Sequence, residues 1–499
     1  MRAVTAIAAA GAFAQTAVAA SVQAKNFIYV VPDGYGQSSQ TMARDLRALV
    51  ESGNPANRPG DIPPITADEL VVGLVRTYAA NNLITDSAAS GVAFAAGYKS
   101  NNGMIGVIPD GRPVGSILEA AKLSGLRTAL VVTSTINHAT PAVYAAHTDS
   151  RGNLDTIAEH EVGYGHPLGS VVDILLGGGR CSFYPQGQNN SCRGDDLDLW
   201  AYAAEQNFTI ARNRDEFDAF ERGLGDTPMP ILGLFNDGDL RYEIDRRVTQ
   251  DEPSLIEMTE TALNTLHRAT HCKEQGYFIM IEASRIDHAG HANDPAAHAV
   301  DTLMYNDLLH YLREWIDEHP DTVLMSAADH ECGGLTLNGF NPLPLNGSSH
   351  SGEYLQQLWR GRPSGSDPRQ FLVSELLPLS GVTNPTDAEI NTLLSASNVG
   401  SELVSLLSSR AGVNWSTGGH TASDITLFAY AAADQLSALK ADLAGNHENT
   451  ELPRYIEEVL GLDMDAVTEI LQAAAEEDAG WLGKRGIDAR DEHAHSHAH

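Results

Sequence analysis

Short apolar runs recur along this chain, and several stop at a residue able to carry charge or hold a metal. Residues 26–31 read Asn-Phe-Ile-Tyr-Val-Val and stop at Pro32-Asp33-Gly34. Residues 277–281 read Tyr-Phe-Ile-Met-Ile and stop at Glu282, and the run at 322–325 leads to Asp329-His330. Further runs lie at 171–176, 231–235 and 424–431, and a helix-type stretch at 114–123 leads into a run at 127–132. Longer stretches with helical character follow Pro253 and Pro295. Continuous hydrophobicity over so few residues marks strands buried on both faces, as parallel sheets require. The alternation with helices predicts an α/β fold: a largely parallel central sheet with helices on both faces. Sheets of that kind gather ligand chemistry just beyond the carboxyl ends of their strands. The residues that stop these runs are therefore the candidates for function.

The chain has 499 residues, and its alternation is broken once. Residues 341–412 are rich in Pro, Gly, Asn and Ser and read as an inserted, loop-rich subdomain on a core formed by 21–340 and 413–472. Residues 473–499 read as a tail, ending in alternating histidines from His493 to His499, that has no means of forming a packed core. Residues 1–20 combine Arg2, an apolar stretch and Ala17-Val18-Ala19-Ala20, the pattern of a secretory signal peptide. That stretch is too short to span a bilayer and no later one is long enough, so no transmembrane anchor is expected in the mature chain. Secretion is the expectation, with periplasm or cell wall as further addresses and a vacuole ranked behind them. Sequons at Asn189, Asn207, Asn346 and Asn414 fit export and a glycoprotein. Cys181 and Cys192 bracket a Pro/Gly/Asn loop suited to a disulfide. Cys272 precedes the strand that ends at Glu282, whereas Cys332 follows the next strand. If those strands are parallel, the two sulfurs lie at opposite ends of the sheet and stay free. Net charge is −33, which excludes a nucleic-acid-binding role and an anionic membrane surface as partner.

Thr85-Asp86-Ser87-Ala88-Ala89-Ser90 opens a run of small residues that ends at Gly97. It predicts a strand-to-helix junction with Thr85 or Asp86 as cap and Ser87 in the first turn, where unpaired N–H groups favour an anion. A serine hydroxyl needs a base, a metal or a positive field to act as nucleophile. The remaining motifs supply these. Asp287, His288 and His291 fall within five residues in a Gly-containing stretch read as a loop; Thr140 and Arg151 follow one strand, and Gly418-Gly419-His420 precedes another. Collected, Asp33, Ser87, Thr140, Arg151, Glu282, Asp287, His291, Asp329, His330 and His420 offer imidazoles suited to zinc and an oxygen set suited to magnesium.

With T-D-S-A-A-S, E-A-S-R-I-D-H-A-G-H, A-D-H-E and T-G-G-H-T in this order, the sequence resembles the alkaline phosphatases from Asn26 through His420 and the strand after it. The resemblance implies a phosphomonoesterase, usually a homodimer, acting on small phosphate monoesters at alkaline pH. It implies two zinc ions, one on Asp287, His291 and His420 and the other on Asp33, Asp329 and His330 beside Ser87. It implies one magnesium on Asp33, Thr140 and Glu282. Ser87 would form a phosphoserine, Arg151 would grip the non-bridging oxygens, and Asp86 would orient the guanidinium. His138 and His288 stand where some bacterial members carry aspartate and lysine, and are similar to the animal-type enzymes. Diester or sulfate hydrolysis on the same fold, or metal and phosphate binding without turnover, are the alternatives.

Overall fold

The computed structural model describes residues 22–52 and 62–483. The signal-peptide stretch 1–20 and the His-rich end of the tail lie outside them. Eight strands build most of the central sheet: β1 Asn26–Val31, β2 Val71–Arg76, β3 Arg127–Thr135, β4 Ile174–Gly178, β5 Thr209–Ala211, β6 Ile231–Leu234, β7 Tyr277–Glu282 and β8 Thr322–Ala327. Strands Ile425–Tyr430 and Gly445–Glu448 complete it, in the order Gly445–Glu448, β2, Ile425–Tyr430, β8, β1, β7, β3, β4, β6, β5. β1 lies between β8 and β7, parallel to both, with Val31 paired to Glu282 and Val30 to Ser326. Ile425–Tyr430 runs antiparallel to β2 and β8. β1, β7 and β8 are buried at every position, which is why their sequences show no polar alternation.

The helices that flank the sheet are specified locally. Ser254 caps helix Leu255–Thr270 and Glu257 returns the bond, a capping box. Asp294 accepts from Ala296 N and Ala297 N at the start of helix Pro295–Glu318, whose first residue is the proline that position tolerates. Both expected sheet faces are thereby covered, and one apolar cluster runs from Val22 to Leu471.

The insertion differs from its reading as loop. Between Leu343 and Ala411 it holds short helices, among them Gly352–Arg360, Asp387–Ser395 and Val399–Ala411. The polar residues that suggested loop are their caps: Ser351, Thr386, Asn398 and, in the left-handed conformation, Gly412. Leu355, Leu372, Leu376, Leu403 and Leu407 form a second core with Ala289, Ala296 and Ala297 of the site helices. Leu335–Leu337 pairs antiparallel with Val413–Trp415 on either side of this segment. At the other end, helix Met464–Glu477 crosses the boundary placed at 472, because Met464, Val467 and Leu471 bury one stripe of it, and a short turn of helix, Ala479–Leu482, follows. Cys181 and Cys192 are disulfide-bonded with Cα atoms 5.0 Å apart, while Cys272 (exposed) and Cys332 (buried) are free. The strands near the two free cysteines are parallel, so they sit at opposite ends of the sheet, as expected.

Candidate active site

The site forms where β1, β7, β8 and β3 end side by side. Asp33 lies two residues beyond β1, Glu282 is the last residue of β7, Asp329 lies two residues beyond β8, and His138 and Thr140 follow β3. The close approach of these ends demands Gly34, whose φ is +73° and whose added Cβ would stand 2.5 Å from the Asp287 Cα.

Ser87 is the first residue of helix Ser87–Ala96, buried along its whole length, and a loop rather than a strand precedes it. Asp86 is the cap. Its Oδ1 accepts from Ala89 N at 2.9 Å; its Oδ2 accepts from Gly103 N at 2.9 Å and from Arg151 Nη1 at 3.1 Å. One carboxylate therefore starts the helix that opens with Ser87 and holds the Arg151 guanidinium. Arg151 Nη2 donates to His138 Nε2 at 3.1 Å, while Arg151 N donates to Gly103 O. Ser87 Oγ lies 3.3 Å from His330 Nε2.

Asp287 and His291 sit on a short helix, Arg285–His291, instead of the expected loop, so their four-residue spacing places them on one face. Gly290 belongs there for contact reasons: an added Cβ would lie 2.9 Å from the Cys332 Cβ. Asp287 Oδ2 lies 3.1 Å from His291 Nε2, and Oδ1 lies 3.6 Å from His420 Nε2. His291 Nδ1–H donates to Gly418 O at 2.6 Å and His420 Nδ1–H to Thr85 O at 2.9 Å. A carbonyl can only accept, so in the neutral rings both Nε2 lone pairs are free, and they face each other at 3.1 Å. Three electron-rich atoms converge, at separations close to the roughly 3.3 Å between donors around a tetrahedral zinc. The donor set fits a divalent cation.

Asp33, Asp329 and His330 form a second convergent group, and Asp33, His138 and Glu282 a third, each with ligand atoms within 4.8 Å of one another. His330 Nε2 lies 3.1 Å from Asp329 Oδ2 and 3.9 Å from Asp33 Oδ1. Both Asp33 oxygens, Thr140 Oγ1 and Glu282 Oε1 are buried without a hydrogen-bond partner. The other Glu282 oxygen accepts from Ser134 Oγ at 3.0 Å. Buried acceptors left open in this way are costly unless a cation fills the space between them. The three residues expected to hold magnesium each present an open oxygen, and His138 stands among them as an additional nitrogen.

The electrostatics report the same crowding. Burial pushes the Asp33 carboxyl well up, and Asp329, Asp287 and Glu282 push it further. Burial likewise lifts Glu282 to about 7. Burial would lower His291, but the Asp287 carboxylate outweighs it and raises the imidazole to about 9. Burial and the neighbouring His330 lower His420 to about 4, and burial and Arg151 lower His138 to about 3.

Sequence reading missed two residues that touch the site. Asp239 Oδ1 accepts from Thr135 N at 2.8 Å, and its Oδ2 lies 3.1 Å from Arg285 Nη1 and 3.6 Å from His288 Nδ1. It follows the end of β6, so the strand-end rule that found the others applies to it too. Cys332 brings its sulfur beside Asp287, His291 and His420.

Residues 24–462 match the family model described as alkaline phosphatase. The chain belongs to the alkaline phosphatase family. The repressible alkaline phosphatase of Saccharomyces cerevisiae is 38% identical over 91% of this chain and 84% of the yeast protein. An alkaline phosphatase of Schizosaccharomyces pombe is 37% identical over 90% of this chain and 84% of its own length. Among solved structures, Thermus thermophilus alkaline phosphatase superposes with a TM-score of 0.74 at 28% identity, covering 91% of this chain and 96% of that one. The protein is thus an enzyme of a metal-dependent family whose members hydrolyse phosphate monoesters, and its α/β sheet is the family's fold.

Proposed function

We propose that this alkaline phosphatase hydrolyses small phosphate monoesters through a phosphoserine on Ser87, with two zinc ions and one magnesium ion. The supporting observation is the convergence of buried acceptors without partners on the serine hydroxyl, with a guanidinium fixed beside it. Asp287, His291 and His420 would hold one zinc, Asp33, Asp329 and His330 the other, and Asp33, Thr140 and Glu282 the magnesium. Bound there, the metals would lower the pKa of the serine hydroxyl and of water and would stabilise the attacking and leaving oxygens. Ser87 Oγ attacks phosphorus as the P–O bond to the alcohol breaks and the alcohol departs. Water then attacks the phosphoserine and releases inorganic phosphate. Arg151, held in line by Asp86, pairs with two non-bridging oxygens, which only a terminal phosphoryl leaves free alongside the other contacts. The alcohol is left towards solvent, so many monoesters fit.

An aryl phosphate assayed beside an aryl diester, with and without chelator, tests the reading. Monoester turnover lost on chelation supports it; equal diester turnover favours the diesterase alternative, and chelator-insensitive turnover removes the metals from the mechanism. An alkaline optimum and a homodimer come with the family resemblance and belong to the same proposal. So does export: among the described residues no helix is long and apolar enough to cross a membrane, and all four sequon asparagines are exposed.

A further inference from the structure

Cys332 is a fully buried free thiol, and its position is fixed from several sides. Its N–H donates to Gly34 O at 3.1 Å, and it pairs with His420 across a two-stranded antiparallel ribbon, which puts both side chains on one face. The absence of a Cβ at Gly290 makes room for it: an added Cβ would stand 3.0 Å from its sulfur. The sulfur, Asp287, His291 and His420 place one ligand atom each within 4.8 Å of all the others. Asp287 Oδ1 in that group is buried with no hydrogen-bond partner, and in its neutral form each imidazole turns an Nε2 lone pair inward.

We propose that the Cys332 sulfur is a fourth protein donor to the metal site of Asp287, His291 and His420. The inference rests on the reading of that trio as a zinc site. Zinc is borderline-soft and takes sulfur, imidazole nitrogen and carboxylate oxygen alike. On ligation the S–H bond breaks, the proton leaves to solvent and a sulfur–metal bond forms. The carboxylate and thiolate together then balance the charge of a divalent ion. Four donors leave the substrate a fifth position, an expansion that zinc sites make. The thiolate also biases the site towards thiophilic ions.

Cobalt(II) loaded into the metal-free full-length chain is the test, in a Cys272→Ser background so that Cys332 is the one free thiol. Its expected signature is a near-ultraviolet sulfur-to-cobalt charge-transfer band beside the visible d–d bands. In Cys332→Ser and Cys332→Ala the charge-transfer band disappears, the d–d bands persist, and zinc escapes to chelator roughly 10–100-fold faster. Visible cobalt bands in the parent with no charge-transfer band overturn the proposal and leave the thiol as a neighbour of Asp287 only. The parent spectrum is decisive by itself, so a Cys332 variant that folds poorly does not rescue the idea. His291→Ala examines the underlying zinc site separately: if it retains as much tightly bound zinc as the parent, the trio is not a metal site and the reading beneath the proposal fails as well.

Discussion

Replacing Ser87 with alanine removes the attacking oxygen but none of the Asp33, Asp329 and His330 side chains beside it. The expected outcome is a loss of turnover of at least ~10³-fold with zinc content unchanged, checked by kinetics and elemental analysis. Undiminished turnover would take Ser87 out of the mechanism. The second residue-scale prediction concerns His138 and His288, whose rings lie 5.6 Å apart. His138 accepts from Arg151, while His288 faces Arg285 and Asp239. The double change His138→Asp with His288→Lys gives Arg151 and the magnesium site a fixed negative partner and puts a permanent positive charge beside phosphate. Phosphate inhibition should tighten, turnover at alkaline pH should slow and the response to added magnesium should shrink. Unchanged inhibition and magnesium response would mean that the two rings only fill space. Asp239, which already sits within reach of position 288, is the group a lysine there would meet.

At the scale of elements, the arm between β3 and helix Leu154–Glu161 carries both Thr140 and Arg151, and a buried cluster pins it. His147 Nδ1–H donates to Gly106 O at 2.8 Å, so its Nε2, 2.9 Å from Glu119 Oε1, requires a further proton shared with that carboxylate. His160 accepts from His147 N and donates to Trp481 O, and His166 accepts from Leu168 N, so neither ring needs an extra proton. Despite burial, the His147 charge holds Glu119 below its ordinary 4.5, and Glu119 lifts His147 above 6.5. The depressed carboxyl contributes stability above pH 4.5 that is lost as pH falls through its folded value. The raised imidazole contributes stability below pH 6.5 that is lost as pH rises through its folded value. The pair is therefore most effective from about pH 4.5 to somewhat above 6.5. Glu119→Gln should cost about 3–5 kcal/mol near pH 6, read by denaturant unfolding, and much less at alkaline pH. A cost that does not change with pH would refute the shared proton. None of this was visible in the sequence; only packing brings helix Ile117–Leu123 against that arm.

The whole molecule tolerates four convergent carboxylates only under compensation. Without metal, Asp33 and Glu282 are raised by burial and by Asp329, and His291 and His330 are raised by Asp287 and Asp329. Raised groups bind protons more tightly folded than unfolded, so each contributes stability that is lost as pH rises through its folded value. The metal-free protein should therefore lose stability between about pH 6.5 and 9, the upper bound being His291. Bound metal replaces those protons and should flatten the curve, adding about 4 kcal/mol per ion at a thousandfold excess over Kd. Thermal unfolding with and without chelator at the two pH values checks this; parallel curves would mean that the carboxylates are not metal ligands.

Much of this was legible in the chain itself. Strand runs and their stopping residues named the sheet, its parallel sense and the candidates Asp33, Glu282 and Asp329, because burial on both faces forces continuous apolar stretches and the carboxyl edge gathers function. Asp86 as a helix cap and Ser87 in the first turn were legible from a local signature, whereas the role of Arg151 entered only through the family resemblance. The tertiary structure alone decided what depends on contact between distant segments. Cap residues in the insertion looked like loop until their helices shared a second core. Asp287 and His291 lie on a helix where Gly290 suggested a turn, and that glycine makes room for Cys332. The same close approach sets the thiol beside Asp287, His291 and His420. Periodicity and propensity act over a few neighbours, and they carry no record of which side chain will stand 3 Å from which across hundreds of residues.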